Sequence, residues 1–333
     1  MTRSMRFQLG RLTAAAKALN GWSHFAPLQL SVDIGSRCTK VIESTLRDGR
    51  LEITKAISFD TPPEAVTNGT VRDAEAVGLA LRHNLRVAGI GTARATTCLP
   101  GPAAVLKRFK LPLADAASLE AMVRAEVDNL ASFGSDSLEV DYQVSEALTE
   151  GMLDVLVAAA RKETINGYVA ALKAAELVPQ AVGVDSLALA NLIDAAYGVD
   201  PSRTVTFVHV GAEFCVLGIR SHGIWVFTGS IVTGTGRAPL SEPAAVAAEI
   251  VDAIGRALRF YWPESAGDRF DEIILSGGGA HTPRLETLLS ERLGRSVRLV
   301  QSLRPGQGRP ADVHDASLFA IATGLAIRSL EES

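Results

Sequence analysis

Cysteine is scarce in this chain. Cys38, Cys98 and Cys215 are odd in number and widely scattered, which argues against a disulfide framework, and no CxxC or Cys/His spacing suggests a metal site. They fall in or beside expected strands, as buried thiols in a reducing compartment would. A dominant charge is missing too. The formal net charge of −4 leaves no basic footprint for nucleic acid. No apolar run reaches the roughly 18–20 residues needed to cross a bilayer, and Val155–Ala160 reads as a buried strand. Near the N-terminus, no clean apolar core precedes a small-residue cleavage site, so a signal peptide is disfavoured. Core material is plentiful. Hydrophobic residues make up 47% of 333, enough for two lobes or one large domain and too many for global disorder.

The first 25 residues differ from the rest. Arg3, Arg6, Arg11 and Lys17 interleave with Phe7, Leu9, Leu12, Leu19, Trp22 and Phe25, and no acid precedes Asp33. Two readings stand: a loosely ordered tail, or a basic amphipathic segment resting on anionic lipid.

Three glycine-tipped turns organise the remainder. In the first, an apolar strand ends in Asp33-Ile34-Gly35-Ser36 and a second begins after Lys40. Glycine at the tip lets backbone N–H groups approach an anion. Asp33 has the oxygen chemistry for hydrated Mg²⁺, and Lys40 for a phosphate. Taken alone, this is equally a plain β-turn. The second, Thr204–Gly218, repeats the design with Gly211 at its tip. In the third, the strand Ile273-Ile274-Leu275 runs into Ser276-Gly277-Gly278-Gly279. The spacing predicts a helix next, with Thr282 as N-cap, Pro283 in its first turn, and an apolar stripe of Leu285, Leu288, Leu289 and Leu293. A glycine run between strand and helix suits close approach of a nucleotide.

Between the first and second turns the order reads β-α-β-β-α-β. Strand Val105–Leu111 precedes a helix over Ser118–Leu130, with Leu119, Met122, Val123, Val127 and Leu130 on one face. Strands Leu138–Val144 and Met152–Ala160 follow. Thr164 is placed to cap the next helix, whose face is Ile165, Tyr168, Val169 and Leu172, and Ala181–Asp185 reads as another strand. A helix is expected around Ala74–Arg86, and a last one over Ala316–Arg328. Thr61-Pro62-Pro63 and Ser302–Pro310 read as loops, and Asp200-Pro201-Ser202 as a hinge.

These segments together resemble the actin-like ATPase superfamily and, within it, the PilM family of type IV pilus assembly. The Asp33–Lys40 hairpin is similar to the first phosphate loop, His209-Val210-Gly211-Ala212 to the second, and Ser276–Gly279 to the adenosine loop. The stretches DYQV, VLVAAARKE and VDSLALAN between Asp141 and Asn191 resemble PilM at matching spacing. The resemblance spans about residues 26–330. It implies a duplicated actin-like (ribonuclease H-like) α/β fold of two lobes with an inserted small subdomain. The expected division is a tail over 1–25, a first lobe over 26–95, the subdomain over 96–185, and a second lobe over 186–333. It also implies ATP and Mg²⁺ as cofactors. Asp33, Gly35, Ser36, Lys40, Gly211, Gly277, Gly278 and Gly279 would be the binding residues, with Asp33 the metal ligand.

Three departures bear on the chemistry. His209 stands where the second loop of the family carries an aspartate, and imidazole is a poor ligand for a hard, oxygen-preferring ion. A strand histidine packed at the cleft floor is the favoured reading. Arg37 replaces a small residue, either to contact phosphate or to fill the pocket. Only Thr233–Pro243 separates the strand Trp225–Val232 from the helix Ala244–Trp262, where PilM has a further subdomain walling the adenine pocket. Nucleotide binding is therefore expected to be weak or lost.

The leading expectation is a PilM-like cytoplasmic scaffold, peripheral to the inner membrane, of a type IV pilus or related secretion platform. By resemblance it binds a short N-terminal peptide of a PilN-like membrane protein, in a groove between the first lobe and the small subdomain. The helix Ser118–Leu130 and Phe133 are candidates for that groove or, equally, for core packing. One alternative is an active ATPase switch, with Asp185 or Glu213 as the second carboxylate. The other is an FtsA-like or GspL-like membrane-associated protein, though no terminal membrane helix is visible to support it.

Overall fold

The computed structural model describes residues 28–47, 50–130, 137–148, 151–197, 202–222, 224–236, 243–261, 270–300 and 315–331. The tail over 1–25, Phe133, the Asp200-Pro201 part of the expected hinge, the loop Ser302–Pro310 and residues 237–242 lie outside these.

Two five-stranded sheets share one plan. The first is built from β1 (Gln29–Ile34), β2 (Cys38–Arg47), β3 (Arg50–Asp60), β6 (Arg94–Leu99) and β10 (Val178–Val184), in the order β10-β6-β1-β2-β3. The second is built from β11 (Val205–Val210), β12 (Cys215–Ser221), β13 (Ile224–Ile231), β14 (Glu272–Ser276) and β15 (Ser296–Leu299), in the order β13-β12-β11-β14-β15. In each, an antiparallel meander supplies three strands and two parallel strands extend it from the first of them. Strands β1, β11 and β14 are buried along their whole length; Ile273-Ile274-Leu275 of β14 is the apolar run such a place favours, while β1 and β11 also bury Ser31, Asp33, Thr206 and His209.

Helices cover both faces of both sheets. α1 (Ala74–Val87) and α3 (Lys162–Ala174) cover one face of the first sheet through Val77, Leu81, Tyr168 and Leu172. Asp73 caps α1 by accepting from Ala76 N at 2.9 Å. α5 (Pro243–Tyr261) and α6 (Leu285–Leu293) cover one face of the second through Ile250, Ile254, Leu285 and Leu289. The two remaining faces are covered crosswise. α4 (Asp185–Tyr197), which directly follows the first sheet's last strand, packs Leu189, Leu192 and Ile193 on Phe207, Trp225 and Ile274 of the second. α7 (Ala320–Glu331) packs Ala322 and Ala326 beside Ile42, Leu51 and Ile53 of the first. The two helices touch at Gly324, where a Cβ would fall 1.7 Å from the Ala188 carbonyl oxygen.

The insertion is a third layer. β7 (Ala104–Pro112), β8 (Leu138–Leu148) and β9 (Met152–Arg161) form a sheet in the order β7-β9-β8, covered by α2 (Ala116–Leu130). Leu119, Val123 and Val127 of α2 are buried on Leu111, Leu153 and Val155. This apolar face is therefore core packing, and it is not free to line a groove. The remaining small elements, β4 (Val66–Thr67) and β5 (Thr70–Val71), form a two-stranded ribbon.

Three local expectations differ. Thr164 lies inside α3, whose N-cap is Arg161, because the strand β9 feeds the helix without a turn. The glycine run enters a 3-10 turn, Gly278–His281, and Thr282 closes that turn by donating from Oγ1 to Gly279 O at 2.7 Å. Arg284 then takes a left-handed conformation, φ 68°, so α6 begins only at Leu285. Likewise the last helix starts at Ala320, after a turn over 316–319.

Candidate functional site

The two glycine-tipped hairpins face one cleft between the sheets, a cavity of about 260 Å³. From the first hairpin it is lined by Asp33, Gly35, Ser36, Arg37 and Lys40, and from the second by His209, Gly211, Ala212 and Glu213. Gly278 and Gly279 border it, as do Asp185 and Tyr168. Of the residues expected from sequence only Gly277 does not line the cleft. Its φ of 93° and its packing on the Val210 backbone make it a structural turn residue.

Each hairpin tip closes in the same way. Gly35 N donates to Cys38 O at 3.2 Å, and Gly211 N donates to Phe214 O at 3.0 Å. At both tips a Cβ would stand 2.8 Å from the carbonyl oxygen four positions into the turn, so both positions require glycine. Thr61 pins the first tip. Its Oγ1 donates to Gly35 O at 2.8 Å and meets Thr39 Oγ1 at 2.9 Å. Sequence reading placed Thr61 in a loop and saw no role for it.

The chemistry of the tips differs. Asp33 and Lys40 are direct cross-strand partners, with Lys40 Nζ 3.2 Å from Asp33 Oδ2, and both side chains are buried. Burial pushes the lysine towards neutrality, but the attraction and hydrogen bond of Asp33, with smaller contributions from Cys38 and Cys98, together hold its pKa above the usual value. At the matching positions of the second hairpin stand His209 and Val216, also direct partners. His209 Nδ1 lies 3.1 Å from Ser276 Oγ. Burial lowers the imidazole pKa to about 4, so it is neutral near pH 7. It sits on the cleft floor, as expected, with no capacity to replace a carboxylate at a hard cation.

Asp185 is the carboxylate that sequence alone could not place. It opens α4 at the cleft, and its Oδ1 accepts from Ser186 N at 2.6 Å. Burial raises its pKa to about 7 against hydrogen bonds from the Gly101 and Ser186 backbone, with Asp33 adding repulsion. Glu213 also lines the cleft. Among the described residues no cluster of three or more His, Cys, Asp or Glu is arranged to hold a metal ion.

The residues fit the two ends of a nucleotide unequally. At the phosphate end, two glycine tips, Lys40, Arg37 and the oxygens of Asp33 and Asp185 suit a hydrated cation and a small anion. At the adenosine end Gly279 is buried and closely packed while Gly278 stays exposed. A Cβ on Gly279 would lie 2.4 Å from Val210 Cγ1 and 2.7 Å from Thr235 Cγ2, and one on Gly278 would lie 3.3 Å from Leu318. Thr235 is held there by the segment after β13. Thr235 N donates to Gly211 O at 3.2 Å, and Gly236 N to Ala212 O at 2.8 Å. The cavity is below the ~300–1,000 Å³ common for small-molecule sites.

Comparison with known proteins decides the family. The family described as type IV pilus assembly protein PilM matches residues 31–236 and 243–330. The chain belongs to the PilM family. Its fold is also that of a solved PilM-PilN type IV pilus biogenesis complex. The match has a TM-score of 0.78 at 22% identity, covering 91% of this chain and 98% of that one. The ethanolamine utilization protein EutJ from Carboxydothermus hydrogenoformans matches with a TM-score of 0.52 at 12% identity, covering 91% and 90%. This PilM-family chain thus has the duplicated actin-like fold with a small inserted subdomain. No described helix is long and apolar enough to cross a membrane.

Proposed function

We propose that this chain is a scaffold of a type IV pilus or related secretion platform. It works at the cytoplasmic face of the inner membrane and holds a short N-terminal peptide of a PilN-like membrane protein, with nucleotide binding weak or lost. The observation that carries the reading is the family match across nearly the whole described chain, with a fold covering 98% of a PilM chain from a PilM-PilN complex. The close packing on Gly279 and the neutral His209 support the loss of nucleotide function. In this reading the two five-stranded sheets with their helices form the lobes, β6, α3 and β10 of the expected 96–185 unit belonging to the first, and β7, α2, β8 and β9 form the insertion that helps build the peptide groove. The basic tail over 1–25 adds a contact to anionic lipid.

Asp185 favours a second reading. A carboxylate beside Asp33 at the phosphate end could order Mg²⁺ through water, as an ATPase switch requires. One titration separates the two. Calorimetry of Mg-ATP into the full chain, with Asp33→Ala as control, is expected to give no heat of binding. A PilN N-terminal peptide is expected to bind both proteins. Micromolar Mg-ATP binding lost in Asp33→Ala would establish the switch instead, and failure of the peptide to bind would remove the scaffold reading.

A further inference from the structure

A second cavity, of about 210 Å³, lies away from the cleft, between the inserted sheet and the second lobe. On one side it is lined by Leu106, Lys107 and Arg108 of β7, and on the other by Trp225, Val226, Phe227 and Thr228 of β13. Successive strand residues point to opposite faces. A cavity lined by consecutive residues is therefore bordered by the edge of a strand, where backbone N–H and C=O groups project. Both strands are terminal in their sheets: β7 pairs with β9 alone and β13 with β12 alone among the described strands. Two open edges face one another across the slot.

The strands run in opposite directions. Gly101, just before β7, touches Ser230 near the end of β13, where a Cβ would fall 1.9 Å from Ser230 Oγ. From that closed end the two edges continue to Arg108 and Trp225. A strand entering the slot would pair antiparallel with one edge and parallel with the other. Its floor is apolar, with Leu156, Leu187 and Ala190 all buried. At its rim Val226 is 46% exposed, a large apolar side chain on an open edge.

Charge selects the occupant. Arg108 is paired with Asp154. Lys107 stands over the Phe109 ring, 5.3 Å from its centroid, and no carboxylate among the described residues forms an ion pair with it. The tail over 1–25 carries Arg3, Arg6, Arg11 and Lys17 and no acid, so Lys107 repels it.

We propose that the slot between β7 and β13 is a docking site for an extended segment of a partner protein. The segment adds as a strand, places an apolar side chain on the Leu156–Leu187–Ala190 floor, and sets a carboxylate against Lys107. The site is separate from the groove between the first lobe and the insertion, and does not depend on which protein occupies that groove. A lysine on an edge strand also discourages sheet-to-sheet pairing, and the test distinguishes that defensive role.

The probes are two fluorescein-labelled decapeptides, one alternating valine with glutamate and the other valine with lysine, titrated into the full chain by anisotropy. The acidic peptide is expected to bind at least ten-fold more tightly. Lys107→Glu should reverse the preference, and Val226→Arg should abolish binding of both. Both substitutions are at exposed or half-exposed edge positions, and unchanged thermal melts establish that the variants fold. Binding of neither peptide would assign Lys107 to edge protection and overturn the proposal. So would binding insensitive to Val226→Arg. A concentration-dependent dimer of the free chain that Val226→Arg dissociates would give the slot to a second copy, also against the proposal.

Discussion

The two hairpins share a backbone and differ in what they enclose. Both close through a glycine N–H bonded across the tip, and both place one cross-strand pair beneath it. In the first lobe that pair is Asp33 and Lys40, a buried ion pair. In the second it is His209 and Val216, a neutral histidine against an apolar neighbour. The difference teaches that the fold needs the glycine tips but not the charges. The second hairpin keeps its geometry with no ion pair, so the first pair's charges answer to something the backbone does not require.

The sharpest way to break this comparison is to remove one charge. Lys40→Met leaves Asp33 buried without its partner and is expected to cost about 3–5 kcal/mol in urea unfolding. His209→Leu, at a matching hairpin, loses only a neutral hydrogen bond to Ser276 and should cost about 1–2 kcal/mol. Equal losses would mean that the two pairs play the same structural part.

The pH dependence sets two cleft residues against each other. Asp185 is buried, with its pKa raised to about 7. The native state therefore holds a proton that the unfolded state releases near pH 4. Its contribution is full below that point and is lost as pH rises through about 7. His209 has its pKa lowered to about 4. Its contribution is full above the unfolded value near 6.5 and is lost as pH falls through about 4. At about 1.4 kcal/mol per pKa unit each effect amounts to about 3–4 kcal/mol when integrated, and between pH 4 and 6.5 the slopes oppose. Asp185→Asn should unmask stability that rises with pH across that window, and His209→Gln should unmask stability that falls. Chemical denaturation at half-unit steps measures both, and parallel curves for the two variants would contradict the assignment.

Smaller effects probe the packing around the hairpins. Gly324→Ala drives a methyl group against the Ala188 carbonyl and is expected to cost about 1–3 kcal/mol, read as a lower Tm. Thr61→Val removes the hydroxyl that pins the first tip and should cost about 0.5–1.5 kcal/mol. The second tip, where Thr235 N and Gly236 N bond its carbonyls, should not respond to that change.

The hairpins were legible because apolar strands flank a glycine at each tip, a local pattern that tertiary contacts reinforce. The same holds for α2, whose buried face follows its periodicity, and for β9 and β14, whose apolar runs are buried nearly throughout. What the sequence hid depends on contacts from far along the chain. Asp185 is one of two unplaced candidates for a second carboxylate, at the end of a strand, until the fold brings Gly101 against it. The packing of Thr235 on Gly279 is equally non-local. The start of α6 was hidden for a different reason: Thr282 and Pro283 look like a helix entry, but the left-handed turn at Arg284 delays it.

The crossed helices bear on how the chain is made. On the ribosome, the first sheet emerges with the face over Ile42, Leu51 and Ile53 uncovered, since Ala322 and Ala326 of α7 follow it far along the chain. Meanwhile α4, emerging directly after the first sheet, waits for β11–β14 before its own apolar side is buried. Neither half can therefore finish folding before part of the other has been made. The nascent chain carries an open apolar surface until α7 has left the tunnel, and a stop before α7 would damage the lobe translated first.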